Sequence, residues 1–112
     1  MTICHRMEAM LIIGKDELTR FFIKHPQSKR ALLAWTTLIA ASNYGNLNEL
    51  HKTFPSADYV HHQYTIFNIS GNKYRLVTII EYSVGIVRVK RIWTHAEYSM
   101  SKNKASLEGG RL

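Results

Sequence analysis

A chain of 112 residues with 46% hydrophobic side chains is long enough for one small domain around a modest core, and too apolar for a disordered segment. Its formal charge of +7, from 15 Lys and Arg against 8 Asp and Glu, points to a polyanionic partner: nucleic acid, an acidic protein or a membrane surface. Cys4 is the one cysteine, which excludes an intrachain disulfide and a cysteine-built metal centre, and no apolar run approaches the ~20 residues of a membrane-spanning helix.

Residues 1–10 lack sustained periodicity and read as an extension, with Met7 or Met10 as alternative starts. Glu8 interrupts the stretch and no small-residue cleavage site follows, so it does not read as a signal peptide and a cytoplasmic protein is the default. Leu11-Ile12-Ile13 is either a first edge strand or the lead into a helix, and Gly14 breaks it. Asp16 is placed to cap a helix, with Glu17 in the first turn. Leu18, Phe21 and Phe22 share one helical face, and Pro26 ends the helix near His25. A longer helix opens at Gln27 or Ser28 and runs to about Ser42, with Leu32, Trp35, Leu38 and Ile39 turned to the core. Lys24, Lys29 and Arg30 cluster at the junction as a solvated surface. After a loop at 43–46, Asn46 or Asn48 caps a short helical turn carrying Leu47, Leu50 and Phe54, closed by Pro55.

Three runs rich in β-branched and aromatic residues follow, at 64–70, 74–83 and 86–94. Gly71-Asn72 and Val84-Gly85 supply the turns between them. Alternation puts Leu76, Thr78, Ile80 and Tyr82 on one face of the second strand and Arg75, Val77, Ile79 and Glu81 on the other. In the third strand it puts Val87, Val89, Arg91 and Trp93 together, with Arg88 and Lys90 opposite. Lys73, Arg75, Arg88, Lys90 and Arg91 face a single acid, Glu81. Residues 99–112 are polar and end near Gly109-Gly110, the pattern of a mobile tail. The whole reads as one α+β domain over residues 1–112, with two to three N-terminal helices packed on a small antiparallel sheet of three or four strands.

No phosphate-binding glycine loop, dinucleotide fingerprint or usefully spaced carboxylate pair is present. Adjacent histidines in an extended segment point to opposite faces, so His61 and His62 are poorly placed to share an ion, and neither a metal nor another cofactor is expected. RNA cleavage needs less. The 2′-OH must lose its proton, the charged phosphorane must be stabilised, and the departing 5′-oxygen must be protonated. Arg75, Lys90, His95 and Tyr98 suit these tasks by type. By type alone, a structural or simple binding role competes for each.

The blocks Phe54-Pro55-Ser56-Ala57-Asp58-Tyr59-Val60, Phe67-Asn68-Ile69, Gly71-Asn72-Lys73-Tyr74-Arg75-Leu76 and Thr94-His95-Ala96-Glu97-Tyr98 occur in that order, with Lys24-His25-Pro26 and Ala34-Trp35 upstream. On these blocks, over about residues 11–98, the chain resembles the HigB family of bacterial toxins, within the wider RelE-like mRNA interferases. The resemblance implies a RelE-like α+β fold and metal-independent mRNA cleavage on the translating ribosome, in the aminoacyl site. It also implies a HigA-type helix-turn-helix antitoxin as partner, with operator DNA engaged only through that antitoxin, and no membrane.

Carried over residue by residue, the resemblance places Arg75 on the scissile phosphate. Lys90 stands where relatives commonly have arginine, keeping the charge but losing the bidentate fork. His95 becomes a general base or acid, or orients the phosphate. Tyr98 becomes an acid or a stacking platform. Glu97 braces the corner. Ser99 replaces the aspartate common after this tyrosine. Asn72, Lys73, Arg88 and Arg91 are assigned to RNA or ribosome contact, and Trp93 and Trp35 to packing. Two rival readings remain beside the nuclease: a non-catalytic RNA- or ribosome-binding module, and an inactive toxin that acts mainly as an antitoxin partner.

Overall fold

Runs of β-branched and aromatic residues broken by glycine favour strands and tight turns, and residues 58–94 fold accordingly. In the computed structural model, which describes residues 9–112, the chain begins with strand β1 (Leu11–Ile13) and helices α1 (Lys15–Lys24), α2 (Lys29–Ala40) and α3 (Leu47–Thr53). Strands β2 (Asp58–Val60), β3 (Tyr64–Ile69), β4 (Tyr74–Glu81) and β5 (Ile86–Thr94) follow, and then helices α4 (His95–Tyr98) and α5 (Ser101–Glu108). A 3-10 turn at Pro26–Ser28 joins α1 to α2, since proline ends the first helix.

The α+β class holds, but the sheet is larger than expected and is mixed. Its order is β1-β5-β4-β3-β2, antiparallel throughout except that β1 lies parallel to β5. Leu11 N–H donates to Gly85 O at 2.8 Å, bringing the first strand to the edge that the last one leaves free. A three-residue run carries no local record of such a distant partner. Two helices also follow the sheet where the sequence offered none.

Gly14 makes the tight passage from β1 into α1. Its φ is 100°, and a Cβ there would meet Val89 Cβ at 3.1 Å and Val89 O at 3.2 Å. Gly14 is therefore the N-cap, and the expected cap, Asp16, lies inside the first turn, where it pairs with Arg20. Asn46 does cap α3, accepting from Glu49 N–H at 2.9 Å. In the first hairpin the left-handed pair is Ser70-Gly71 rather than Gly71-Asn72, while Gly85 turns the second as expected. His61 and His62 are also left-handed, with φ of 54° and 56°, so they form a turn and not an extended pair.

One face of the sheet carries the main core. Leu18, Leu32, Trp35, Ile39 and Leu50 from the helices pack on Phe67, Ile69, Leu76, Val87 and Val89. Trp35 meets Phe67 edge-on at 5.4 Å. Leu38, expected in this core, is 44% exposed because it lies at the rim of the helical stripe. Met10 is buried and its N–H donates to Ser42 O at 3.3 Å, so the packed fold begins within the supposed extension; residues 1–8 lie outside the described residues.

The other face carries a smaller cluster of Tyr64, Ile66, Val77, Trp93 and Leu107. Leu107 belongs to α5, so residues 99–112 are not a loose tail but a second layer. Leu112 N–H donates to the Tyr64 hydroxyl at 3.2 Å. Averaged hydrophobicity over this polar stretch conceals a single well-placed anchor, which is why composition suggested mobility.

Leu107→Ala is expected to lower unfolding free energy by about 2–3 kcal/mol in urea titration, as for a buried leucine with partial relaxation. Gly14→Ala should cost at least ~1 kcal/mol by the same measurement, from its positive φ and the Val89 contact together.

Candidate functional site

A strand of nine residues opposite one of eight must accommodate a mismatch, and β5 does so at Lys90. Thr78 of β4 faces Val89, but Val77 faces Arg91, leaving Lys90 without a partner. This is a β-bulge. Val89 and Ile92 both pack on the helix side, so two residues separate them where regular alternation would place one. The expected grouping of Val87, Val89, Arg91 and Trp93 on one face therefore fails. Val87 and Val89 face the helices, whereas Trp93 joins the opposite cluster and Arg91 lies across from Val77 on that same side.

On this second face Arg75 lies between Asn68 of β3 and Trp93 of β5 in cross-strand register. Its guanidinium sits 5.2 Å from the centroid of the Tyr98 ring, and Nη1 donates to Asn72 O at 3.0 Å. Tyr98 also tilts against Trp93, with centroids 6.3 Å apart. What holds Tyr98 there is the start of α4. Thr94 Oγ1 accepts from Glu97 N–H at 3.1 Å, and Glu97 Oε1 accepts from Thr94 N–H at 2.9 Å, a reciprocal capping box. Glu97 thus braces the corner as expected. His95 N–H donates to Lys73 O at 2.9 Å, tying the corner to the first hairpin.

These bonds bring Arg75, Tyr98, His95, Lys73 and Asn72 to one end of the sheet. The His95 side chain is exposed, and among the described residues its ring has no hydrogen-bond partner. Arg91 stands diagonally across from Arg75, at a Cβ separation of about 7–8 Å for such a pair, with Lys90 beside it at the bulge. Arg88 is set apart. It faces Ile79, four residues along β4 from Arg75 or about 13 Å, and pairs with Glu81. Trp93 is buried, in keeping with a packing role.

Lys104 is the residue that reading the sequence missed. Its Nζ lies 5.6 Å from the Tyr98 ring centroid, from a helix that had been expected to be tail. The one available signal was its i, i+3 spacing to Leu107. Asn103 Nδ2 donates to Glu97 O at 2.7 Å and fastens α5 to the corner.

Among the described residues, the ion pairs are those of Arg20 with Asp16 and Glu17 and of Arg88 with Glu81. Lys73, Arg75, Lys90, Arg91 and Lys104 therefore carry positive charge that no carboxylate among the described residues pairs with directly. No three His, Cys, Asp or Glu side chains among the described residues are grouped to hold a metal ion. A hollow of about 340 Å³ lies away from the corner, lined by Tyr59, His62, Thr65 and Tyr82 and by no charged side chain. Burial there pushes the Tyr82 phenol above its ordinary pKa, with Tyr59 adding to the effect. The cationic corner lies at the other end of β4 from this hollow.

A family model described as the HigB toxin, the RelE-like toxic component of a toxin-antitoxin system, matches residues 28–101. The chain is 32% identical over 92 residues to the mRNA interferase toxin HigB of Escherichia coli strain K12, across 80% of this chain and 88% of the relative. The mRNA interferases HigB of Escherichia coli O157:H7 and Shigella flexneri match with the same identity and coverage. The span matched by the family model takes in α2 to α4 and stops short of Lys104.

Thr94→Ala removes the capping oxygen of α4 and should cost about 1 kcal/mol in urea unfolding. Thr94→Ser should retain most of that stability, and faster amide exchange at Glu97 in the alanine variant would locate the loss.

Proposed function

The chain belongs to the HigB family of RelE-like toxins, and on that footing we propose that it cleaves mRNA on the translating ribosome, as the toxin of a pair whose other member is a HigA-type helix-turn-helix antitoxin. The observation that carries this reading is the set of unpaired cations around Tyr98 at one end of the sheet. Such a set suits a phosphodiester backbone. Operator DNA is met only through the antitoxin, and the site of action is cytoplasmic.

Cleavage proceeds by attack of the 2′-oxygen on the adjacent phosphorus. The O2′–P bond forms, the P–O5′ bond breaks, and the products are a 2′,3′-cyclic phosphate and a 5′-hydroxyl. Arg75 takes the scissile phosphate. One of its five donors is committed to Asn72 O, which fixes the fork while the others remain for phosphate oxygens. Lys90, brought out at the bulge, adds charge stabilisation without a second fork. His95 accepts the 2′-OH proton while Tyr98 delivers one to the 5′-oxygen, or His95 delivers that proton while water takes the one from the 2′-OH and Tyr98 is the surface on which a base stacks. Asn72, Lys73 and Arg91 hold flanking RNA; Arg88, committed to Glu81, contributes least. The ribosome supplies the in-line geometry, a large share of the barrier in such reactions. Metal ions have no part in the scheme.

Inducing the chain in bacterial cells should arrest growth and leave mapped mRNA cuts ending in cyclic phosphate and 5′-hydroxyl. Arg75→Ala should lower the single-turnover rate on ribosome-bound mRNA by at least ~100-fold, as for loss of a donor to a developing oxyanion. Naked RNA should be cut slowly, with or without divalent metal. Growth arrest without cuts would identify a binding module instead.

A further inference from the structure

We propose that Lys104, on α5, is a further RNA-binding residue of this site, its ammonium taking a phosphate of the strand next to the one held by Arg75. The proposal rests on reading the Tyr98 face as the RNA interface. The Arg75 guanidinium and the Lys104 ammonium lie 5.2 and 5.6 Å from the centroid of one ring, and no carboxylate among the described residues pairs with either. The two like charges thus lie within about 11 Å of each other, close to a Debye length at physiological salt, and repel weakly around the ring they share. A polyanion crossing the ring relieves the repulsion and is held by both.

Lys104 is also held in place more firmly than a surface lysine on a loose tail. Leu107, one turn on, is buried against the cluster of Tyr64, Ile66, Val77 and Trp93. Asn103 is bonded to Glu97 O at 2.7 Å, so α5 and the Tyr98 corner form one unit. Lys102, on the same helix, is exposed and lies over no ring among the described residues, and serves as the internal comparison. The site is thereby built from two parts of the chain: the hairpin and corner that the family model matches, and a C-terminal helix of which that model matches only the first residue.

The test is binding of a fluorescent single-stranded RNA oligonucleotide to the full chain, by anisotropy, across a salt series and with two unrelated sequences. Lys104→Gln should make the slope of log affinity against log salt shallower by about 0.7, equivalent to roughly 2.5-fold over a fourfold rise in salt, and weaken both sequences alike. Lys104→Arg should restore the slope, and Lys102→Gln should leave it unchanged. Glutamine is a good helix former, so the variant keeps α5. If Arg75→Ala flattens the slope and Lys104→Gln does not, or if Lys102→Gln flattens it equally, Lys104 is no part of the site while the RNA face stands. If Arg75→Ala leaves the slope unchanged too, the RNA face itself is wrong and the proposal goes with it.

Discussion

The pairing of β4 with β5 governs everything that faces solvent on the far side of the sheet. These are the two longest strands, and they lie at its centre. A single unpaired residue, Lys90, changes which side chains of β5 reach which face. Before the bulge, Val87 and Val89 turn to the helices; after it, Ile92 does, and Arg91 and Trp93 turn away. Without that extra residue, Trp93 and Arg91 would point into the main core, where a guanidinium has no partner to repay its desolvation. Core packing and the exposure of a cationic surface are therefore consequences of one register.

The corner after β5 depends on that register in turn. Trp93 supplies an apolar floor, Tyr98 stands against it, and Arg75 stacks over the tyrosine. The capping box at Thr94 and Glu97 sets where α4 starts and so where Tyr98 points. Glu97 turns its carboxylate to the backbone N–H of Thr94 and forms no ion pair with a neighbouring cation. The contrast with Arg88 is instructive: it shares the sheet face, but Glu81 lies within reach and offsets its charge. At one end the acid pairs with a cation; at the other the nearby acid is turned to the backbone and the cations stay unpaired.

Lys90 offers a point charge where an arginine would offer a fork, and Ser99 has no carboxylate to offer. In the structure Trp93 fills the floor of the second cluster, and Ser99 Oγ donates to His95 O at 3.0 Å, closing α4. The corner combines aromatic surface with unpaired positive charge, to which α5 brings one more cation.

Local features were legible in the sequence because their causes are local. The stripe of Leu32, Trp35 and Ile39, the Asn46 cap, the strand runs at 64–70 and 86–94 and the proline stop at Pro26 each follow from propensity or spacing within a few residues. Arg75, His95 and Tyr98 were named from their blocks, and the backbone pairing brings them to the same end of the sheet. Three things were decided only by tertiary structure. β1 found a parallel partner more than seventy residues away, Lys90 was squeezed out of register against β4, and α5 docked through Leu107. Each depends on contacts between segments distant in sequence, and a period of two or 3.6 residues holds no information about a partner it does not contain.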